Sequence, residues 1–220
     1  MNNQTDKIIA RFNKIARFQA GIYDGNNTAA YRVQQWLKRQ TMELCGETKS
    51  LLDAGCGNGD FLEMFAMRHS ACTLTGIDIS SDMIDIARKR VRKPGLNINF
   101  RAGSLTAIPA EDGEVETLIS IGVLLYIHPG ERDLAYSELC RVASKTLILE
   151  IKNTLSPYYP IRQLSARYGK WKMRIYGTNP VLLSASLKKY QFKLVATKGI
   201  LPGFFGFVLS PVLLCKFEKM

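Results

Sequence analysis

Three glycines at alternate positions follow a short apolar run, and this stretch limits the fold more than any other. Residues 51–62 read LLDAGCGNGDFL. Glycine has no Cβ atom, so Gly55, Gly57 and Gly59 allow a tight turn whose backbone can lie against a ligand. A helix beginning near Asn58 would present unpaired N–H groups to that ligand. The stretch predicts a strand, a ligand-binding turn and a helix, with a purely structural turn as the alternative.

A second short strand ends in an acid. Residues 72–78 read CTLTGID, and Asp78 follows the last glycine by about twenty residues, the spacing at which doubly wound folds bind ribose hydroxyls. Another acid, Asp53, precedes the glycines. It would repel a phosphate group and favours a cationic ligand instead. The two strands together predict a nucleoside cofactor that carries positive charge and no phosphate.

The residues of this region resemble a known family. Residues 53–59, DAGCGNG, and residues 76–80, GIDIS, are similar to the class I S-adenosylmethionine-dependent methyltransferases, in particular to their small-molecule group. The resemblance covers about residues 49–151. It implies an α/β, doubly wound, Rossmann-like fold with a seven-stranded, mostly parallel sheet, an antiparallel last strand and an N-terminal helical lid. It also implies S-adenosyl-L-methionine as cofactor and in-line methyl transfer to an O, N, C or S atom.

The resemblance further implies which residues bind the cofactor. Ser104 stands where the family commonly has an acid that receives the adenine amino group, and a hydroxyl would bind that group more weakly. His128 and Tyr23 are candidates for a general base, although catalysis by positioning alone is the preferred interpretation. The implied cofactor-binding residues are Asp53, Gly55, Cys56, Gly57, Gly59, Asp78, Ile79, Met83, Gly103, Ser104, Leu105, Ser120 and Ile121.

Strand and helix patterns alternate along the chain and predict parallel βαβ units in a single domain. We expect a helical lid over residues 1–46, a cofactor-binding core over 47–151, an acceptor-binding insertion over 152–180, and a last helix and hairpin over 181–220. The predicted helices include 6–21, 28–44, 131–142 and 181–189, and the later strands are 97–102, 115–121, 145–151, 191–197 and 211–218.

The charge of the chain favours anionic partners but does not choose among them. Thirty Lys and Arg residues against nineteen Asp and Glu residues give a net charge of +11. Nucleic acid, anionic lipid and an acidic small molecule all fit such a charge, and so does a solvated basic surface. The predicted helix 6–21 is amphipathic with basic flanks, so it either packs as a lid or contacts an anionic membrane.

Basic and aromatic residues alternate in the segment 167–176, which suits stacking on bases or anchoring among lipid headgroups. The leading hypothesis is methylation of a small-molecule acceptor that is lipophilic or anionic. The alternatives are an RNA or protein methyltransferase and a non-catalytic cofactor-binding module.

The composition predicts a cytoplasmic protein without a metal site, peripheral to the membrane if it contacts one. The chain has five scattered cysteines without a CxxC pair, two histidines and no secretory signal. The oligomeric state stays open.

Overall fold

One mixed sheet of seven strands organises the molecule, and the strand order is β3-β2-β1-β4-β5-β7-β6. The computed structural model describes residues 3–18, 29–91, 96–168, 174–201 and 206–220. The strands are β1 Ser50–Ala54, β2 Thr73–Asp78, β3 Ile98–Ala102, β4 Val115–Ser120, β5 Ala143–Lys152, β6 Phe192–Gly199 and β7 Val212–Lys219. The helices are α1 Asn3–Phe18, α2 Ala29–Cys45, α3 Asp60–Ala66, α4 Ser81–Arg90, α5 Arg132–Val142, α6 Tyr159–Tyr168, α7 Pro180–Lys188 and α8 Gly206–Leu209.

The strand directions match the doubly wound plan. Strands β1 to β5 pair in parallel, and β7 pairs antiparallel with both β5 and β6. Parallel strands need a long crossover, and α3 and α4 provide it between β1, β2 and β3. The predicted seven-stranded, mostly parallel sheet with an antiparallel last strand is confirmed.

Apolar side chains fill both faces of the sheet, as expected when helices cover a parallel sheet on each side. Along β5, Leu147, Leu149 and Ile151 point to the face covered by α5 and α7, whereas Ile148 points to the face covered by α2, α3 and α4. Nearly all of β1, β4 and β5 is therefore buried. Charged residues inside these strands stand out for that reason.

Local sequence signals fix several helix ends. The Ser80 hydroxyl accepts a hydrogen bond from the Met83 backbone N–H at 3.1 Å and caps α4. The Asn179 side chain caps α7 in the same way, with Pro180 at the first helical position. The cap of α4 holds Ser80, and with it Asp78, at a fixed position beside the glycine turn.

The main departures from the predicted elements lie near the ends of the chain. Helix α1 begins at Asn3, ahead of the predicted start at residue 6. Helix α6 was not predicted, because its sequence YPIRQLSARY contains a proline and follows Pro157; none of its residues is buried. The short helix α8 interrupts the hairpin between β6 and β7. Within the described residues, no helix combines the length and apolar character that crossing a membrane requires.

Candidate active site

A cavity of about 690 Å³ opens at the carboxyl ends of β1, β2, β4 and β5, on the face covered by α2. Strand order reverses between β1 and β4, and open α/β sheets bind their ligands at this switch point. The turn after β1, residues 55–58, forms one wall. Residues from the ends of the neighbouring strands and from α1 and α2 form the others. The cavity is therefore built where the sequence places its glycine turn.

The glycines of the turn have different structural tasks. Gly55 has φ +102°, and a Cβ atom there would lie 2.0 Å from Val123 Cγ2. Gly57 has φ +53° with open space where its Cβ atom would lie, so its backbone faces the cavity. Gly59 starts α3, and a Cβ atom there would crowd Phe100 and Ala87. Gly59 therefore permits close packing of helix on sheet, and it does not line the cavity.

The Asp78 carboxylate is fixed by two backbone N–H groups. Gly57 N–H donates to Oδ2 and Ser80 N–H donates to Oδ1, both at 2.9 Å. Each carboxylate oxygen can accept a further hydrogen bond, so the group can bind the two hydroxyls of a ribose. Burial raises the pKa of Asp78, and its bonds from the Ser80 and Gly57 backbone oppose that rise.

Asp53 lies in β1 with 4% of its surface exposed, and it faces the cavity. Its Oδ1 atom is buried and has no hydrogen-bond partner among the described residues. Burial, and secondarily the charge of Asp78, raises the pKa of Asp53 to about 8. The Thr41 hydroxyl of α2 is also buried on this cavity without a partner in the described residues. Unpaired buried polar atoms are costly, so a polar ligand is expected beside them.

Apolar residues form the part of the cavity beyond Asp78. Ile79, Met83 and Leu105 line it together with Ser104 and Thr106. The Ser104 hydroxyl lies 2.9 Å from that of Thr106 and accepts a bond from the Thr106 backbone N–H at 3.2 Å. The serine is therefore held by its own turn, which leaves it less capacity to bind an adenine amino group.

The predicted cofactor-binding residues thus divide into two groups. Gly103 packs against Pro109 and Ile77, and the Ser120 hydroxyl donates to the Ala54 carbonyl at 2.8 Å. These two residues and Gly59 support the site without lining its cavity. The residues that line it are Asp53, Gly55, Cys56, Gly57, Asp78, Ile79, Met83, Ser104, Leu105 and Ile121.

Helix α1 covers the cavity. Ile8 and Phe12 line it, and the Phe12 ring meets the Tyr126 ring edge to face with centroids 5.4 Å apart. The Ser80 hydroxyl donates to Asn13 Oδ1 at 2.5 Å and joins the helix to the cap of α4. Ile8 and Phe12, apolar side chains of α1, therefore face the protein itself, which favours the lid over a membrane contact for this helix.

A family model described as a methyltransferase domain matches residues 51–146. The ubiquinone biosynthesis O-methyltransferase of Brucella anthropi is 30% identical over 161 residues, which are 68% of this chain and 62% of that protein. The enzyme of the same name from Actinobacillus pleuropneumoniae is 35% identical over 80 residues, 33% of each chain. The magnesium protoporphyrin IX methyltransferase of Synechocystis PCC 6803, solved with bound SAH, has a TM-score of 0.78 at 17% identity, covering 99% of this chain and 100% of that chain.

Residues 51–146 therefore contain a methyltransferase domain, and the chain has the fold of the class I S-adenosylmethionine-dependent methyltransferases. At 17% identity the likeness to the solved structure establishes the fold, and the family model establishes the domain. The chain spans between 21% and 33% of the length of the first three curated relatives that it matches.

The cavity of this methyltransferase domain fits the cofactor S-adenosylmethionine. That cofactor carries positive charge on its α-ammonium group and on its sulfonium, and the buried, unpaired Asp53 Oδ1 suits a cationic donor such as the ammonium. Asp78 suits the ribose, and the apolar wall of Ile79, Met83 and Leu105 suits the adenine ring. In the described residues no group of three His, Cys, Asp or Glu side chains could hold a metal ion.

Neither candidate base is placed on the cavity by the part of the chain that the structure describes. His128 is exposed and caps a 3₁₀ turn, where its Nδ1 accepts from the Gly130 N–H at 3.1 Å. Its ring stacks edge to face on Tyr176 and does not line the cavity of the methyltransferase. Tyr23 lies outside the described residues. The described structure therefore supplies no contact through which either residue reaches the cavity.

Two functional candidates of this methyltransferase were missed by the sequence analysis. Glu150 and Lys152 lie at the end of β5, are 3% and 7% exposed, and form an ion pair that lines the cavity. The signal was present in the sequence, because the otherwise apolar run 147–152, LILEIK, contains both charges. Their alternate spacing places them on one face of the strand.

Proposed function

We propose that this protein transfers the methyl group of S-adenosylmethionine to a small-molecule acceptor, lipophilic or anionic. The observation that carries the proposal is the pair of acids on the cavity: Asp53, buried and unpaired, and Asp78, held by two backbone N–H groups. Such a pair suits a cofactor with a cationic end and a ribose, and it disfavours a phosphate.

S-adenosylmethionine supplies a methyl group made electrophilic by the positive sulfur to which it is bound. The residues of the chain then need to orient two ligands and exclude water. Asp53 would hold the cationic amino-acid end of the cofactor, and Asp78 would hold its ribose. Helix α1, through Ile8 and Phe12, would close the cavity over both ligands, which limits their motion and keeps water away from the reacting atoms. Positioning of this kind requires no general base when the acceptor is already ionised.

The names of the relatives support a small-molecule acceptor. Two of them are called ubiquinone biosynthesis O-methyltransferases, and the solved structure is a magnesium protoporphyrin IX methyltransferase. We take from them the class of acceptor alone. We further propose the division of labour expected from the sequence, with residues 1–46 as lid, 47–151 as cofactor-binding core, 152–180 as acceptor-binding insertion, and 181–220 as last helix and hairpin.

Mass spectrometry of a cell extract tests the proposal directly. Extract incubated with the protein and a cofactor carrying a deuterated methyl group should yield a small molecule with the mass shift of that methyl. In parallel, Asp78→Ala should weaken calorimetric binding of the cofactor by about 1 to 3 kcal/mol, the typical cost of losing a hydrogen bond to a charged group. Asp85→Ala, an exposed acid on the adjacent α4, is the matched control.

Two outcomes would count against this function. Unchanged affinity in Asp78→Ala would contradict the ribose assignment. Labelling of RNA or protein in place of a small molecule would favour the alternative based on segment 167–176, of which residues 169–173 lie outside the described residues. Cofactor binding without any labelled product would favour the non-catalytic module.

Helix α6 supports a second proposal, peripheral contact with an anionic membrane. Ile161, Leu164 and Tyr168 are 58% to 71% exposed, and no residue of the helix is buried. Arg162 and Arg167 lie on the same short helix, and the whole chain carries +11. Exposed apolar side chains flanked by arginines suit the boundary between headgroups and acyl chains. Arg162 also lines the cavity, so a lipophilic acceptor could enter from that side.

A further inference from the structure

A buried ion pair at the end of β5 lines the same cavity as the cofactor-binding residues. Lys152 Nζ donates to Glu150 Oε1, and each side chain is more than nine-tenths buried. Removing two charges from water is costly, and such a pair is often no more stabilising than apolar residues of the same volume. The presence of this pair inside an otherwise apolar strand therefore favours a role in binding a ligand.

The pair lies on the acceptor side of the cavity. Strand β5 is separated from β1 by β4, so at the usual strand spacing the pair is about 10 Å across the sheet from Asp53. The ribose residue Asp78 is on β2, in the opposite direction. Glu150 Oε2 lies 3.7 Å from where a Cβ atom of Gly122 would stand, directly after the lining residue Ile121. The pair therefore borders the end of the cavity beyond the cofactor's adenosine.

Cations reach the cavity beside β5. The half near β1 and β2 holds the acids Asp53 and Asp78, whereas Lys152, paired with Glu150, lines the cavity at β5 and Arg162 reaches it from α6. An ammonium has three N–H donors, and Glu150 uses one of them. A cation held in a buried site attracts a negative oxygen far more strongly than it would in water.

Resting on the proposed methyl transfer, we propose that Lys152 binds the ionised oxygen of a phenol or carboxylic acid acceptor and that Glu150 is the positioning residue that holds the ammonium. The reaction is then an O-methylation. The acceptor binds as its anion, its proton having gone to solvent. A lone pair of its oxygen forms the bond to the methyl carbon, while the bond from that carbon to sulfur breaks and leaves its electron pair on sulfur. Lys152 stays an ammonium throughout and stabilises the bound anion.

An absorbance titration of 4-nitrophenol tests this site without turnover. The phenol and its phenolate absorb at different wavelengths, so ionisation is read directly with S-adenosylhomocysteine filling the cofactor half. We expect the bound compound to ionise at least one pH unit below the free one, which means that the phenolate binds about tenfold more tightly than the phenol. Calorimetry of 4-nitrobenzoate against its methyl ester measures the same preference for a carboxylate, and at least one of the two anions should show it.

Variants assign the preference to Lys152. Lys152→Met should abolish it, and Lys152→Arg should retain part of it. Lys152→Met leaves Glu150 buried without its partner, which destabilises the fold. The double variant E150Q/K152M removes both charges, so it tests the same preference without an unpaired buried charge. The control is Lys145→Met, also on β5, which breaks an exposed ion pair with Glu116 of β4 and should keep the wild-type preference.

The same samples separate this proposal from the one on which it rests. If the wild-type protein fails to bind S-adenosylhomocysteine, the proposed methyl transfer is contradicted. If it binds that compound but prefers neither anion, or if E150Q/K152M keeps the preference, the methyl transfer stands and the role of Lys152 is overturned.

Discussion

Asp53 links cofactor binding to pH at the level of a single residue. Its folded pKa of about 8 lies above its ordinary value of 3.8. The stability that this proton contributes is therefore complete below about pH 4 and is lost as the pH rises toward 8. A cationic ligand favours the ionised carboxylate, so binding below pH 8 must release the proton. The charged or ionisable neighbours that act on Asp53 or respond to it are Asp78, Cys56 and Cys45.

We predict that cofactor affinity rises with pH between 6 and 8, approaching about tenfold per pH unit, and that Asp53→Asn flattens this dependence. The variant should also be more stable than the wild type at pH 8 without ligand, because no buried carboxylate remains to ionise. Calorimetry across the pH range measures the first effect and urea unfolding the second. Ionisation of the ligand itself affects the wild type and the variant equally. The effect of Asp53 is therefore the difference between the two profiles of affinity against pH. Parallel pH profiles would contradict the role of Asp53.

The glycine turn gives a matched pair of substitutions. Gly55→Ala should destabilise the fold by at least about 2 kcal/mol, because its φ of +102° is strained for alanine and the new Cβ atom would overlap Val123. Gly57→Ala should cost about 1 kcal/mol, since its φ of +53° lies in the left-handed region and its Cβ atom would meet open space. Urea unfolding of both variants measures the difference. Equal losses would mean that contact with Val123 does not limit this turn.

Helix α1 is the element that closes the site. Its contacts with the rest of the protein include Phe12 on Tyr126 and Asn13 on Ser80. An aromatic pair of this kind contributes about 0.5 to 1.5 kcal/mol beyond its buried area. The aromatic pair thus contributes a modest energy to the docking of the helix, which suits a lid that must open for two ligands.

We predict that Phe12→Ala accelerates cofactor dissociation by several-fold to about tenfold, because the lid loses its aromatic contact. The melting temperature should change little, since the sheet and its two cores are untouched. Stopped-flow dissociation of the cofactor measures the rate. Lys14→Ala, an exposed position on the same helix, is the control and should match the wild type. An unchanged rate in Phe12→Ala would leave α1 without a gating role.

The net charge of +11 is a property of the whole molecule. The kind of anionic partner that the protein binds depends on where exposed apolar side chains lie beside the basic ones. Helix α6 offers such surface, whereas α1 uses its own on the cavity. We predict that the protein sediments with anionic liposomes at low salt but not with neutral ones, and that I161S/L164S weakens this binding without a change in melting temperature. Lys14→Ala in α1 should have the smaller effect.

The competing partner is nucleic acid, and it is tested in the same salt series. Strongly salt-dependent binding of RNA with no sedimentation on liposomes would favour the RNA alternative. Sedimentation that is unaffected by I161S/L164S would place the contact elsewhere on the molecule.

The sequence by itself predicted the glycine turn and the two acids that line one part of the cavity. Local rules suffice there: alternate glycines allow a tight turn, an acid at the end of the next strand lies beside that turn, and alternating strands and helices produce a parallel sheet. Asp53, Gly57 and Asp78 were found in this way, and all three line the cavity. Local patterns could not separate residues that face the ligand from those that support it, such as Gly59, Gly103 and Ser120.

Only the tertiary structure brought Glu150 and Lys152 to the same cavity as Asp53. Glu150 and Lys152 become meaningful when β5 is placed two strands from Asp53, because the order of strands in a sheet is set by long-range packing and not by local pattern. The same holds for α1, whose amphipathic sequence fits a lid and also a membrane contact until Ile8 and Phe12 are seen on the cavity. A chain specifies its turns locally, but it specifies which side chains share a cavity only by folding.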